Sequence, residues 1–146
     1  MFKFRLAKVL RLREHKEKLC LEEVSRCLMA LQTVEQKKMK LKQNMDKKEE
    51  EYRLSLEKIV SIERIVVYKN YLSLQKQKLL QLTAELETCR QKLTNAQAEL
   101  RAAMKERKIL TKLREKQQWR FRLVEKKKEE NFLDELAINS SRRQSG

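Results

Sequence analysis

Residues 72–110 read LSLQKQKLLQLTAELETCRQKLTNAQAELRAAMKERKIL, and leucine recurs through them at a fixed interval. Leu72, Leu79, Leu86, Leu93 and Leu100 follow one another every seven residues, while Gln75, Leu82, Cys89, Ala96, Ala103 and Leu110 form a second series offset by three. Alternating steps of three and four residues put both series on one narrow stripe of an α-helix, the pattern of a coiled-coil seam. Such a helix needs another helix against it. The phase runs on through Arg107, Arg114, Phe121 and Val124, where the stripe becomes more polar.

The first half of the chain carries a weaker version of the same pattern. Leu10, Val24, Leu31, Met45, Tyr52 and Ile59 share one heptad position, interrupted by Glu17 and Lys38. Leu6, Cys20, Cys27, Val34, Leu41 and Ile62 share the other, interrupted by Arg13, Lys48 and Ser55. Charges on a seam loosen its packing, so this half reads as the softer strand. Between the halves, residues 59–68 (IVSIERIVVY) hold a β-branched cluster of poorer helix formers, and the two heptad frames do not join across it.

These features predict an all-α fold in which two long helices form an antiparallel coiled-coil hairpin. The expected boundaries are a coiled coil over 1–137, with a first helix over 2–60, a turn over 61–66 and a second helix over 67–137; residues 138–146 read as a flexible tail. The seam is expected to set Leu31, Val34, Leu41 and Met45 against Leu79, Leu82, Leu86, Leu93 and Leu100. With the turn centred on residue 64, Cys89 would face Met39, roughly 18 Å along the axis from Cys27, which excludes a disulfide between the two cysteines. The rival architecture is one uninterrupted helix that dimerises in parallel; a hairpin is complete as a monomer, whereas the single helix is at least a dimer.

Composition narrows the functional classes. The 146 residues contain no proline, and the only glycine is Gly146, so the chain lacks the residues that punctuate sheets and compact loops. Charged residues make up 39% and aromatics only 5%, a mix typical of coiled coils. No Gly-rich phosphate loop, no Ser/His/Asp set and no enclosed pocket is foreseen, which argues against an enzyme and against any cofactor. His15 is the only histidine, and the seven-residue step between Cys20 and Cys27 is a heptad interval, so no metal site is expected. Three cysteines, an odd number, suit a reducing compartment. No segment has the apolar length of a membrane span, and the helical pattern runs straight through the basic, apolar opening MFKFRLAKVLRLRE, which we read as part of the mature protein in the cytoplasm.

The net charge is +15, and it is unevenly placed. Residues 1–19 hold seven basic and two acidic side chains, and residues 105–128 hold eleven and three, whereas residues 60–100 hold six and four. A hairpin brings the two basic segments together and leaves the turn nearly neutral. That asymmetry points to two binding surfaces, one basic and one built around Tyr68, Tyr71 and Leu72. Phe2, Phe4, Trp119 and Phe121 either anchor a partner at the basic end or close the seam there. A basic helix next to a leucine repeat has the ingredients of a zipper-type DNA binder. Here, however, the leucines precede the basic segment, acidic residues are interleaved, and no base-reading cluster stands out, so no nucleic-acid partner is expected.

The opening Phe2-Lys-Phe-Arg-Leu-Ala-Lys-Val-Leu-Arg-Leu-Arg-Glu and the later Glu129-Glu-Asn-Phe-Leu-Asp-Glu-Leu-Ala resemble the terminal patterns of the flagellar export protein FliJ family. The resemblance implies a two-helix coiled coil similar to the central stalk of rotary ATPases, monomeric by itself and a soluble component of the type III export apparatus. It implies as partners the export ATPase ring and its regulator, the export gate membrane protein and substrate chaperones. Membrane association would then be peripheral, through those partners, at the inner face of the cell membrane. Carried over residue by residue, the ATPase-binding end would comprise Phe4, Leu6, Val9, Arg13, Arg120, Phe121, Asp134 and Glu135. The export-gate contact would comprise Tyr68, Tyr71, Leu72, Gln75 and Leu79. Injectisome-type stalk proteins share this design, and a structural homodimer sealed through Leu72–Leu100 remains the alternative from another class.

Overall fold

The computed structural model describes residues 1–56, 58 and 61–145. Among these, the chain forms two long helices, α1 over Ala7–Leu56 and α2 over Ile62–Ser145, packed against each other as an antiparallel hairpin with no strand. The chain divides into two compact units: a terminal unit of Met1–Lys18 with Arg101–Gly146, and a fold-back unit of Leu19–Leu100.

Each helix start has a local cause. The first four residues are not helical, and the Ala7 amide donates to the Phe4 carbonyl at 3.1 Å before α1 settles into its regular ladder. No Ser, Thr, Asp or Asn stands there to cap an earlier start. At α2 the cap is present: Ser61 precedes the helix, its hydroxyl accepts from the Arg64 amide at 3.4 Å, and Glu63 places a negative charge in the first turn.

In the fold-back unit, Val24, Cys27 and Ala96 are buried together, with Leu93 and Leu100 packed against them. Val34 and Leu86 are buried as well, and Leu31, Leu41, Met45, Leu79 and Leu82 are half-buried. In the terminal unit, Leu10 and Ala103 are the deepest residues, at 2% and 1% exposure. Burying a leucine such as Leu10 or Leu86 stabilises by about 1.5–3 kcal/mol. The alanines contribute differently, because a small side chain on the seam lets the two helix backbones approach closely. Every member of the two heptad series from Leu72 to Leu110 is buried or half-buried.

Two of the polar residues that interrupt the first helix's seam, Arg13 and Glu17, have partners on the second. Arg107 donates from Nε and Nη2 to the two carboxylate oxygens of Glu17, at 2.6 and 3.2 Å. Arg13 donates to Glu106 at 2.7 Å, and Lys16 lies 3.6 Å from the same oxygen. The looseness expected of these positions is therefore partly offset by ion pairs across the hairpin.

The boundaries differ from expectation at several places: α1 covers Ala7–Leu56 where a helix over 2–60 was expected, since no residue caps an earlier start. Contacting pairs in both units, from Phe2–Phe121 to Tyr52–Tyr68, are centred near residue 61, not residue 64. This shifts the register and puts Cys27 beside Ala96. Residues 62–66, expected in the turn, form the first turns of α2, because the Ser61 cap outweighs the few tenths of a kcal/mol that β-branched residues cost a helix. The expected turn-proximal positions Ile59 and Val60 lie outside the described residues. Finally, α2 continues to Ser145 through the expected tail: nothing there breaks a helix, and Arg142 and Arg143 suit its negative C-terminal dipole.

Candidate protein-contact sites

The terminal unit contains both chain ends, and with them most of the charge: 21 basic against nine acidic side chains, or +12 of the total +15. Phe2 and Phe121 close the seam edge with ring centroids 5.6 Å apart. Phe4 and Leu6 are half-buried beside them in sequence, and Arg13 is held by Glu106, so these residues are partly committed to the hairpin. Val9 and Arg120 are exposed. Beyond Phe121 every described residue of α2 is exposed, which leaves Leu123, Val124, Phe132, Leu133, Leu136 and Ile138 with apolar surface in water. An open depression of about 480 Å³ lies along this stretch, between Phe121 and Phe132 and flanked by Arg122 and Lys126. Asp134 and Glu135 belong to this exposed stretch, roughly 20 Å along the helix from Phe121. They lie well beyond the Phe2–Phe121 contact.

The electrostatics of this unit follow from its pairs. Hydrogen bonding from Arg107 holds the Glu17 carboxyl below the usual carboxylate range, while Glu17 raises the Arg107 guanidinium. Both side chains keep about a quarter of their surface, so they remain partly screened by water.

In the fold-back unit three tyrosines form a ladder. Tyr52 of α1 stacks on Tyr68 of α2 with centroids 3.9 Å apart and planes 6° from parallel, and Tyr71 follows at 6.5 Å. Burial pushes the Tyr68 hydroxyl up. An open depression of about 460 Å³ adjoins the ladder, lined by Lys48, Ser61, Glu63, Arg64, Val67, Tyr68 and Tyr71. Leu72, Gln75 and Leu79, taken from sequence as partner contacts, are half-buried members of the seam series and offer only part of their surface. The freely presented apolar groups are Ile62, Val67, Leu74 and Leu80, at 79%, 67%, 54% and 71% exposure, with Val66 beside them. The sequence does contain a signal for Val66, Val67, Leu74 and Leu80, the apolar positions left over once the heptad stripe of α2 is removed; Ile62, counted from sequence on the stripe of the first helix, is exposed at the start of α2.

Both places are open surfaces suited to recognition of other proteins. Among the described residues no charged or polar side chain is buried, no cluster of His, Cys, Asp and Glu is spaced to hold a metal, and no helix is long and apolar enough to cross a membrane. The three cysteines are free, and burial pushes the Cys27 thiol up, which keeps it protonated and unreactive at neutral pH.

The family model described as "Flagellar FliJ protein" matches residues 2–146. No curated protein and no solved structure matches the chain.

Proposed function

The chain belongs to the flagellar FliJ family, whose members are associated with flagellar protein export, and from that membership we propose that it is a stalk that binds the export ATPase ring and promotes its assembly. The terminal unit is the ATPase-binding end, with its regulator close by. The tyrosine ladder and the exposed apolar residues from Ile62 to Leu80 form the contact to the export gate, and substrate chaperones are escorted between the two. The protein works in the cytoplasm, at the inner face of the cell membrane.

The observation that carries this reading is the whole-chain family match, joined to a terminal unit that gathers both chain ends and +12 of charge. Electrostatic attraction raises the rate at which such a surface meets an acidic socket, and salt screens it over about 10 Å at 0.1 M. The flagellar description of the family favours this system over an injectisome.

The test is stopped-flow association of the purified chain with the purified flagellar export ATPase. Binding is expected, with an association rate that falls about tenfold or more between roughly 0.05 and 0.5 M salt. Tyr68→Ala should weaken binding to the gate's cytoplasmic domain and leave ATPase association unchanged. No ATPase binding at low salt, or a rate indifferent to salt, would refute the assignment.

A further inference from the structure

One face of α2 in the terminal unit combines a charge of one sign with exposed apolar side chains. Ala103, Leu110 and Phe121 turn toward α1. On the opposite side, alternating steps of four and three residues place Lys105, Lys112, Lys116 and Lys126 on one line, with Ile109, Trp119 and Leu123 between them. Lys108 and Lys127 lie within the same face. The apolar members are well exposed: Ile109 by 67%, Trp119 by 62% and Leu123 by 45%.

The charge on this face is of one sign. Glu106 and Glu125 point to the α1 side, and Glu115 and Arg120 stand at opposite margins, so no acidic group interrupts the face until Glu130. Among the described residues none of its lysines is engaged in an ion pair. The face is about 33 Å long, a continuous helical strip of lysine with tryptophan and aliphatic side chains at intervals.

An anionic phospholipid surface satisfies both features together. Headgroup phosphates pair with the lysines, tryptophan favours the headgroup layer, and leucine and isoleucine reach the acyl boundary. A nucleic acid would pair with the lysines and could stack on Trp119, but it leaves Ile109 and Leu123 in water. We propose that this face of α2 lies directly on an anionic phospholipid membrane, with its axis in the plane of the interface. The contact is independent of the proposed export partners and requires none of them.

Trp119 is the only tryptophan of the chain, so it reports the contact directly. The full chain is titrated with vesicles of phosphatidylcholine alone and of phosphatidylcholine mixed with phosphatidylglycerol, while Trp119 emission and co-sedimentation are followed. The expected result is a blue shift and co-sedimentation with the anionic vesicles only. Each lysine at the surface is worth about fivefold in partition, so the triple variant Lys108→Gln/Lys112→Gln/Lys116→Gln should bind about a hundredfold more weakly. The pair Ile109→Ser/Leu123→Ser keeps every charge and should still lose about tenfold. Circular dichroism of both variants identifies any loss of helix, and the emission shift of the unaltered chain stands apart from either substitution. Equal binding to neutral vesicles, co-sedimentation without an emission shift, or full-strength binding by helical variants would overturn the proposal. Tighter binding to a DNA duplex than to anionic vesicles would overturn it in favour of a nucleic acid.

Discussion

Glu17 receives two hydrogen bonds from Arg107, which hold its carboxyl below the ordinary value of 4.5. A carboxyl whose pKa is lower in the folded chain stabilises the fold above its unfolded value. That contribution is lost as pH falls through the folded value. Glu17→Gln should therefore unfold at lower urea concentration than the parent at neutral pH, and the two midpoints should converge as pH drops below 4.5. Partial exposure of both side chains keeps the difference modest and makes it shrink with salt. Midpoints that stay equally far apart across the acid range would exclude the pair as its source. Glu17 and Arg13 were legible in the sequence as interruptions of a seam. That Arg107 and Glu106 answer them was not, because the residue opposite depends on register. A turn centre displaced by three residues, which heptad counting alone cannot resolve, moves each residue's partner across the hairpin.

The long helices were legible because their period extends over many heptads, whereas their ends depend on one or two residues. The heptad stripe of α2 identified its buried face from Leu72 to Leu110, while the start at Ile62 depended on reading Ser61 as a cap and not as part of a β-branched turn. The same limit applied to the candidate contacts: Leu72, Gln75 and Leu79 were singled out from the stripe that the hairpin itself occupies. At the other end, α2 past Phe121 touches nothing that the hairpin needs, since every described residue there is exposed. Truncation after Phe121 should lower the helical ellipticity by about a sixth and leave the melting temperature of the remainder unchanged within about 2 °C. A drop of many degrees would show that the exposed stretch supports the hairpin after all.

Because each helix finds its seam partner within the same chain, the molecule needs no second copy to cover its seam leucines. Sedimentation equilibrium should return 17.7 kDa over a wide concentration range, and a concentration-dependent doubling would support the homodimeric alternative instead. The charge on the terminal unit was countable from the sequence, but its division into a seam side and a free side required the fold. The two crossed ion pairs also have a mechanical consequence. Arg13 faces Glu106 and Glu17 faces Arg107, four residues apart on α1. If α1 slid along α2 by one turn in one direction, Glu17 would meet Glu106; in the other, Arg13 would meet Arg107. Either displacement sets like charges against each other, so the pairs act as a detent against shear between the two strands.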